Sequence, residues 1–315
     1  MASARATVAA AVAVGALLAC GRAPSAPPVA RAWEIMGTVL TVGAWGPDST
    51  AMLRALEQAY DSVRTVDSLL STFRKDSEIS RINRGAGSGE RSVSATFQVV
   101  LREALRVAGL SGGAFDPTLR DWRRVGFDSA RGTVHLGRGI ALDFGGIAKG
   151  YALDRAALAL EGVADSAVLN LGGQLLVLGG NAQRVWPIGI PDPEHPLDLL
   201  ALVEIPSGRF SVSTSSQAEQ PGHIQDPRTG RAARLARSVT VVASTAMAAD
   251  AWSTAFIVLG CDGALALAER LVLGLVCADE RVRWTPDLEG RVALPTDSAA
   301  RGRVPARGRA RAPAS

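Results

Sequence analysis

Between residues 133 and 243 the apolar residues come in short runs, each stopped by glycine or proline, and this rhythm limits the fold more than any other feature. Thr133–Leu136, Ala167–Asn170, Leu175–Leu178, Val185–Ile190 and Ser238–Ala243 each have the length and composition of a strand. One helical stretch, near Gly146–Leu160, interrupts them. Strands and helices are mixed without the regular alternation that builds a parallel sheet, so the chain reads as α+β.

Helical spacing flanks this region on both sides. Residues 34–43 alternate as a strand, and Ser49-Thr50 is placed to cap a helix with Leu53, Leu56, Tyr60, Val63, Val66 and Leu70 on its apolar face. A second helix is expected from Thr96 to Gly109, stopped by Ser111-Gly112-Gly113. A third runs from Ala246 to Leu259, followed by Gly260 and a helix capped by Asp262 that ends at Leu271. No internal linker divides the chain, which forms one large domain or two closely joined lobes.

The termini read differently. Arg5 precedes an apolar run, Ala6 to Ala19, too short to span a bilayer, so residues 1–19 have the form of a signal peptide. Leu17-Leu18-Ala19-Cys20-Gly21 resembles a bacterial lipobox, which implies lipidation of Cys20 and a membrane-anchored protein facing the periplasm. An ordinary secretory signal with an incidental cysteine is the other reading. Residues 20–32, rich in Pro and Ala, form the expected tether, residues 33–294 the folded domain, and residues 295–315 a disordered tail of Arg, Pro and Ala. The net charge is +4, but five arginines and no acid lie within residues 301–315, leaving the rest at −1. The basic balance therefore carries no indication of nucleic-acid binding. With 47% hydrophobic and 20% charged residues, the chain is neither wholly disordered nor a disulfide-rich miniprotein.

Four groups of residues can carry chemistry. Leu142 to Tyr151 (LDFGGIAKGY) puts a carboxylate, Asp143, at a strand end, two glycines in a turn and Lys149 in the first helical turn. Such a turn lets backbone amides reach a phosphate, although a plain strand-to-helix turn has the same glycines. Lys75 and Lys149 are the only lysines among 34 basic residues, so Lys149 supplies a compact charge where the chain otherwise prefers arginine. Asp250 and Thr254, four apart on one helix face, offer Mg²⁺ two hard oxygen ligands, or else form a polar stripe. His223 precedes a turn, Asp226-Pro227-Arg228-Thr229-Gly230, from which an imidazole can act as general base. Ser213-Thr214-Ser215-Ser216 is a hydroxyl-rich strand end that either contacts phosphate or is a polar loop. The three histidines are far apart and form no zinc motif, and Cys261 and Cys277 are either joined or buried free thiols.

In order along the chain, these segments resemble the ApbE family of flavin transferases from Met36 to about Gly260. The matching motifs begin with Met36-Gly37-Thr38, Leu70–Phe73 with Ser77–Asn83, and Gly113–Thr118. Asp143–Asp154, Leu169–Gly173 and Trp186–Ile190 follow, then the Thr214 segment, His223–Gly230 and Ala249–Thr254. The resemblance implies an α+β, T-fold-like mixed sheet with a cleft for FAD, and Mg²⁺ on the pyrophosphate. It also implies transfer of the FMN moiety to a Thr or Ser of an acceptor flavoprotein, with release of AMP. For acceptors, the resemblance implies subunits of membrane redox complexes or FMN-binding domains in the same compartment. Carried over by position, Asp250 and Thr254 match the side-chain Mg²⁺ ligands, and Gly146 falls where a further oxygen ligand is used, here a backbone one. Met36, Phe73, Ala114, Phe115, Asp116, Asp143, Lys149 and Ile224 match flavin-nucleotide contacts, with Phe73 standing where many relatives have tyrosine. His223 and Asp250 match catalytic positions, His223 toward the acceptor hydroxyl. The same residues would also serve an FAD pyrophosphatase giving FMN and AMP, or a non-catalytic FAD-binding lipoprotein.

Overall fold

The computed structural model describes residues 27–180, 185–216 and 224–295. The expected signal peptide, Cys20, His223 and most of the tail lie outside them. The chain opens with a hairpin, β1 (Val29–Ile35) and β2 (Thr38–Trp45), so the last residues of the stretch read as tether are strand. Next come α1 (Ser49–Leu70), α2 (Glu78–Arg84), β3 (Arg91–Ser92), α3 (Ala95–Leu110), β4 (Val125–Asp128), β5 (Thr133–Leu136) and α4 (Ala148–Ala157). A run of strands follows: β6 (Ser166–Leu171), β7 (Gln174–Gly179), β8 (Val185–Pro191), β9 (Leu199–Pro206), β10 (Phe210–Ser216), the short pair β11 (Gln225–Asp226) and β12 (Arg231–Ala232), and β13 (Ser238–Ala243). The long helix α5 (Ala246–Leu271) precedes β14 (Gly274–Ala278), β15 (Val282–Trp284) and β16 (Val292–Ala293). Helices and antiparallel sheets are mixed, as the α+β reading expects.

The central sheet has eight strands in the order β1-β2-β6-β7-β10-β13-β14-β15, and every neighbouring pair is antiparallel. Its central strands β6, β7, β13 and β14 are buried on both faces, which explains why they read as continuous apolar runs rather than as alternation. Leu169 and Leu171, Leu176 and Leu178, Val239 and Val241, and Leu275 and Cys277 enter the core shared with the helices. Their neighbours Val168, Leu175, Val177 and Val276 enter a second core, with Trp186, Ile188 and Ile190 of β8 and Ala201, Val203 and Ile205 of β9. Strands β8, β9 and β16 form a separate three-stranded sheet covering that face.

Three local details depart from the sequence reading. The strand expected at 34–43 is broken by a two-residue turn at Met36 and Gly37, with φ of 52° and 71°. Both residues lie in the left-handed region that such hairpin turns require. The cap of α1 is Asp48, whose Oδ1 accepts from the amides of Thr50 and Ala51 at 2.9 and 3.0 Å. Finally, the two helices expected on either side of Gly260 are joined as α5, with Gly260 at φ 72° and ψ 169° forming a kink. A side chain there would strike Leu235, its Cβ 2.7 Å from that of Leu235.

The kinked helix is long and apolar enough to cross a bilayer, yet Ala249, Trp252, Phe256 and Ile257 are buried within the main core, so it is the central helix of the domain. Immediately after the kink, Cys261 is bonded to Cys277 of β14, with Cα atoms 5.6 Å apart. The bond ties the second half of α5 to the sheet. The first half faces α4, and this junction holds most of the residues singled out from the sequence.

Candidate functional site

The strand-to-helix segment before α4 is shaped by Asp143 and two glycines. Asp143 Oδ1 accepts from the Gly145 amide at 2.7 Å, and the Asp143 amide donates to Pro117 O at 2.6 Å. Upstream, Asn83 of α2 grips Leu142 from both sides, Nδ2 donating to its carbonyl at 2.8 Å and Oδ1 accepting from its amide at 2.7 Å. Gly146 then packs where a Cβ would lie 3.0 Å from Thr254 Oγ1 and 3.2 Å from the Phe115 ring, so the missing side chain lets this peptide approach α5. Lys149, half-buried, donates from Nζ to Gly145 O at 3.2 Å.

Contact between α4 and α5 is closest at Gly150. A Cβ there would sit 2.2 Å from Ala246 O and 2.7 Å from Met247 Cα, both backbone atoms that cannot swing aside. The Gly150 amide donates to Asp250 Oδ2 at 2.9 Å. Asp250 is 5% exposed, and burial raises its carboxyl above the ordinary carboxylate range, opposed by the charge of Lys149 and by the Gly150 amide. A buried carboxylate held by so little protein is favourable where a cation completes its surroundings. Thr254, one turn along α5 and half-buried, offers the second oxygen.

Hydroxyls behind the helix hold this face in place. Ser253 Oγ, fully buried, donates to Asp250 O at 3.0 Å and meets Ser213 Oγ at 3.1 Å and Ser215 Oγ at 2.9 Å. Thr214 points the other way and bonds Thr240 at 2.9 Å. The serine-rich strand end thus grips α5 from the sheet.

Ala114 and Phe115 are buried beside this junction, at 1% and 3% exposure. Asp116 is also buried, but its oxygens are spent on its own loop: Oδ1 accepts from the Thr118 amide and hydroxyl, both at 2.7 Å, and Oδ2 from the Trp122 amide at 3.1 Å. It organises the 116–122 loop. Met36, Phe73 and Ile224 lie on three separate turns, between β1 and β2, between α1 and α2, and just before β11. Met36 and Ile224 pack against the main core, whereas Phe73 is 98% exposed.

The structure thus brings Phe115, Asp143, Gly146, Lys149, Asp250 and Thr254 to one junction. Gly150, Ser253 and Asn83 lie within motifs visible in the sequence but carry no assigned role there, and Gln174 lies just outside those motifs. Gly150 is distinguished from other helical glycines only by what faces it, and Gln174 Nε2 donates to Ala246 O, 2.7 Å away, across 72 residues of chain. A second group able to hold a metal, Asp192, Glu194 and His195, lies on the β8–β9 connection against the other sheet, and also went unmarked.

Sequence comparison matches the chain to the ApbE family over residues 36–130 and 119–277. A Treponema pallidum (strain Nichols) protein named FAD:protein FMN transferase is 30% identical, the match covering 87% of this chain and 91% of that protein. One of the same name from Vibrio cholerae serotype O1 is also 30% identical, covering 80% and 88% respectively. Among solved structures, the Thermotoga maritima ApbE protein has a TM-score of 0.74 at 25% identity, covering 83% of this chain and 98% of its own. Apo Pseudomonas stutzeri flavinyl transferase ApbE has a TM-score of 0.72 at 24% identity, over 83% and 96%. By sequence, fold and the order of its motifs, the chain belongs to the ApbE family.

Proposed function

We propose that this chain moves the FMN half of FAD onto a Thr or Ser hydroxyl of an acceptor protein, with Mg²⁺ held at the α4–α5 junction. The observation that carries this reading is the convergence at one junction of buried Asp250, which accepts from the Gly150 amide and feels the charge of Lys149, with Gly146 lying against Thr254 one turn along the same helix. All the candidate ligand atoms are hard oxygens, which suits Mg²⁺. The names of the 30%-identical relatives support the same activity.

In this reading Asp250, Thr254 and the Gly146 carbonyl hold the ion, which supplies positive charge against the pyrophosphate. Lys149 adds a point charge, and the turn at Gly145 and Gly146 leaves room for a phosphate to approach the backbone. The acceptor oxygen forms a bond to the phosphorus of the FMN half, and the bond from that phosphorus to the bridging oxygen breaks. AMP leaves with that oxygen. The hydroxyl proton passes to a base, the role the family pattern gives to His223, which lies outside the described residues. Met36, Phe73, Ala114, Phe115, Asp116, Asp143 and Ile224 are the proposed flavin-nucleotide contacts. Asp116 acts there through the loop it organises.

Export and anchoring at Cys20 complete the proposal, placing residues 33–294 in the periplasm with residues 1–19 removed. The Cys261–Cys277 bond supports an oxidising compartment. Acceptors are then flavoproteins of the same compartment, including subunits of membrane redox complexes.

Incubating the protein that starts after Cys20 with FAD, Mg²⁺ and a Thr-bearing acceptor domain tests the reading by intact mass. One FMN-sized addition to the acceptor per AMP released is the expected result. FMN and AMP with no adduct would make the chain a pyrophosphatase, and FAD left whole would overturn both.

A further inference from the structure

The peptide at Ala246, where α5 begins, is held from three directions. Its amide and that of Met247 donate to the two oxygens of Asp154 on α4, at 2.9 and 2.8 Å. Its carbonyl accepts from buried Gln174, and its other side rests against the bare Cα of Gly150. Free amides in a first turn are ordinarily met by a residue just before the helix. Thr245 does occupy that place and accepts from Ala248 at 3.3 Å. Asp154 adds a cap delivered from a different helix, 92 residues away in sequence.

Asp154 is itself held. Arg209 donates from Nη2 to Asp154 Oδ1 at 2.9 Å and from Nη1 to Glu161 Oε1 at 2.7 Å. The Asp154 side chain is 15% exposed and that of Arg209 32%, so the carboxylate end of this pair is the shielded one. Arg209 lies immediately before β10, the strand whose Ser213 and Ser215 grip Ser253 of α5. One arginine therefore joins α4 to the strand that also carries α5 from behind.

Asp250 follows Ala246 by one helical turn, and Thr254 by two, so whatever fixes Ala246 fixes the rotation and height of both oxygens. We propose that Asp154, locked by Arg209, is the positioning residue that sets α5 against α4 so that Asp250 meets the Gly150 amide and the cation site is preformed. The proposal rests on the reading of Asp250 and Thr254 as Mg²⁺ ligands. It assigns Asp154 no contact with substrate, because both of its oxygens are already used. Supports of this kind typically change metal affinity or activity by roughly 10- to 100-fold when removed.

The test pairs Asp154→Ala with Asp48→Ala, which removes a carboxylate cap of the same kind from α1. Asp154→Ala should raise the Mg²⁺ concentration for half-maximal FMN transfer by roughly tenfold or more and lower kcat, with the KM for FAD within about threefold. Asp154→Asn, which keeps one amide acceptor, should recover part of the loss, and Arg209→Ala should reproduce a smaller share of it. Asp48→Ala should lower the melting temperature and leave the Mg²⁺ requirement unchanged. Amide hydrogen exchange supplies a readout without catalysis: protection of the Gly150 amide should fall roughly tenfold in Asp154→Ala and not in Asp48→Ala. Equal Mg²⁺ requirement and equal Gly150 protection in the two alanine variants would overturn the proposal. If the unaltered protein transfers no FMN while Gly150 protection still depends on Asp154, the functional reading fails and the positioning role stands.

Discussion

Among the described residues, two regions offer a divalent cation a set of ligands, and they differ in what else those ligands do. On the β8–β9 connection, the ligand atoms of Asp192, Glu194 and His195 lie within 4.8 Å of one another. Judged by crowding alone, that is the better site. However, Asp192 accepts from the amides of Glu194 and His195 at 2.8 and 3.3 Å, and Glu194 pairs with Arg237 at 3.2 Å. Glu194 and His195 are exposed, so water and these neighbours meet their needs. At the α4–α5 junction Asp143 and Asp154 are engaged by backbone amides, and the candidate ligand among the carboxylates is Asp250, which is buried and raised in pKa by that burial. Water cannot readily satisfy it, so a bound cation gains more there. The demand of a buried group, not the density of acids, distinguishes the two regions.

The largest effect that sharpens this contrast is expected from Asp250→Asn. The amide keeps the shape and can still accept from Gly150, yet transfer should fall at least about a hundredfold. Because the variant removes a buried charge, the metal-free protein should melt no lower than the parent in EDTA. A large drop in melting temperature would mean the carboxylate is structural. Gly150→Ala comes next, since a Cβ would lie 2.2 Å from a carbonyl oxygen that cannot move alone. Calorimetry should show a loss of roughly 1–3 kcal/mol, with transfer reduced alongside. Lys149→Ala removes a side chain whose one hydrogen bond among the described residues is to Gly145 O, so its melting temperature should hold while FAD affinity, by fluorescence titration, weakens roughly tenfold. The double change Asp192→Asn, His195→Ala should have the smallest effect, with the Mg²⁺ requirement within about twofold of the parent. A tenfold rise there would reverse the ranking of the two regions.

Much of this arrangement was legible in the sequence, and the unread part has a common cause. The runs at Ala167–Asn170, Leu175–Leu178 and Ser238–Ala243 were visible because central strands buried on both faces take apolar residues at nearly every position, whereas Thr133–Leu136 and Val185–Ile190 lie in other sheets and alternate in burial. Asp250 and Thr254 could be paired because helical spacing alone puts them on one face. What local spacing cannot show is contact across distance: Gly150 against Ala246, Gln174 under the same peptide, and Asn83 holding Leu142. Met36 was read as strand because alternation continues through it, although its φ of 52° makes it a turn residue. Cys261 and Cys277 stayed undecided for the same reason. Their pairing depends on the kink at Gly260 that brings the helix over β14.

The claim that the cation belongs at the α4–α5 junction is tested most directly by titrating Mn²⁺, as a paramagnetic substitute for Mg²⁺, into FAD-loaded protein and following amide resonances. The account predicts that signals from Gly146, Gly150 and Thr254 broaden first, at the lowest Mn²⁺ concentrations, while those from Asp192, Glu194 and His195 persist. Broadening that begins on the β8–β9 connection and leaves Gly150 sharp would contradict it.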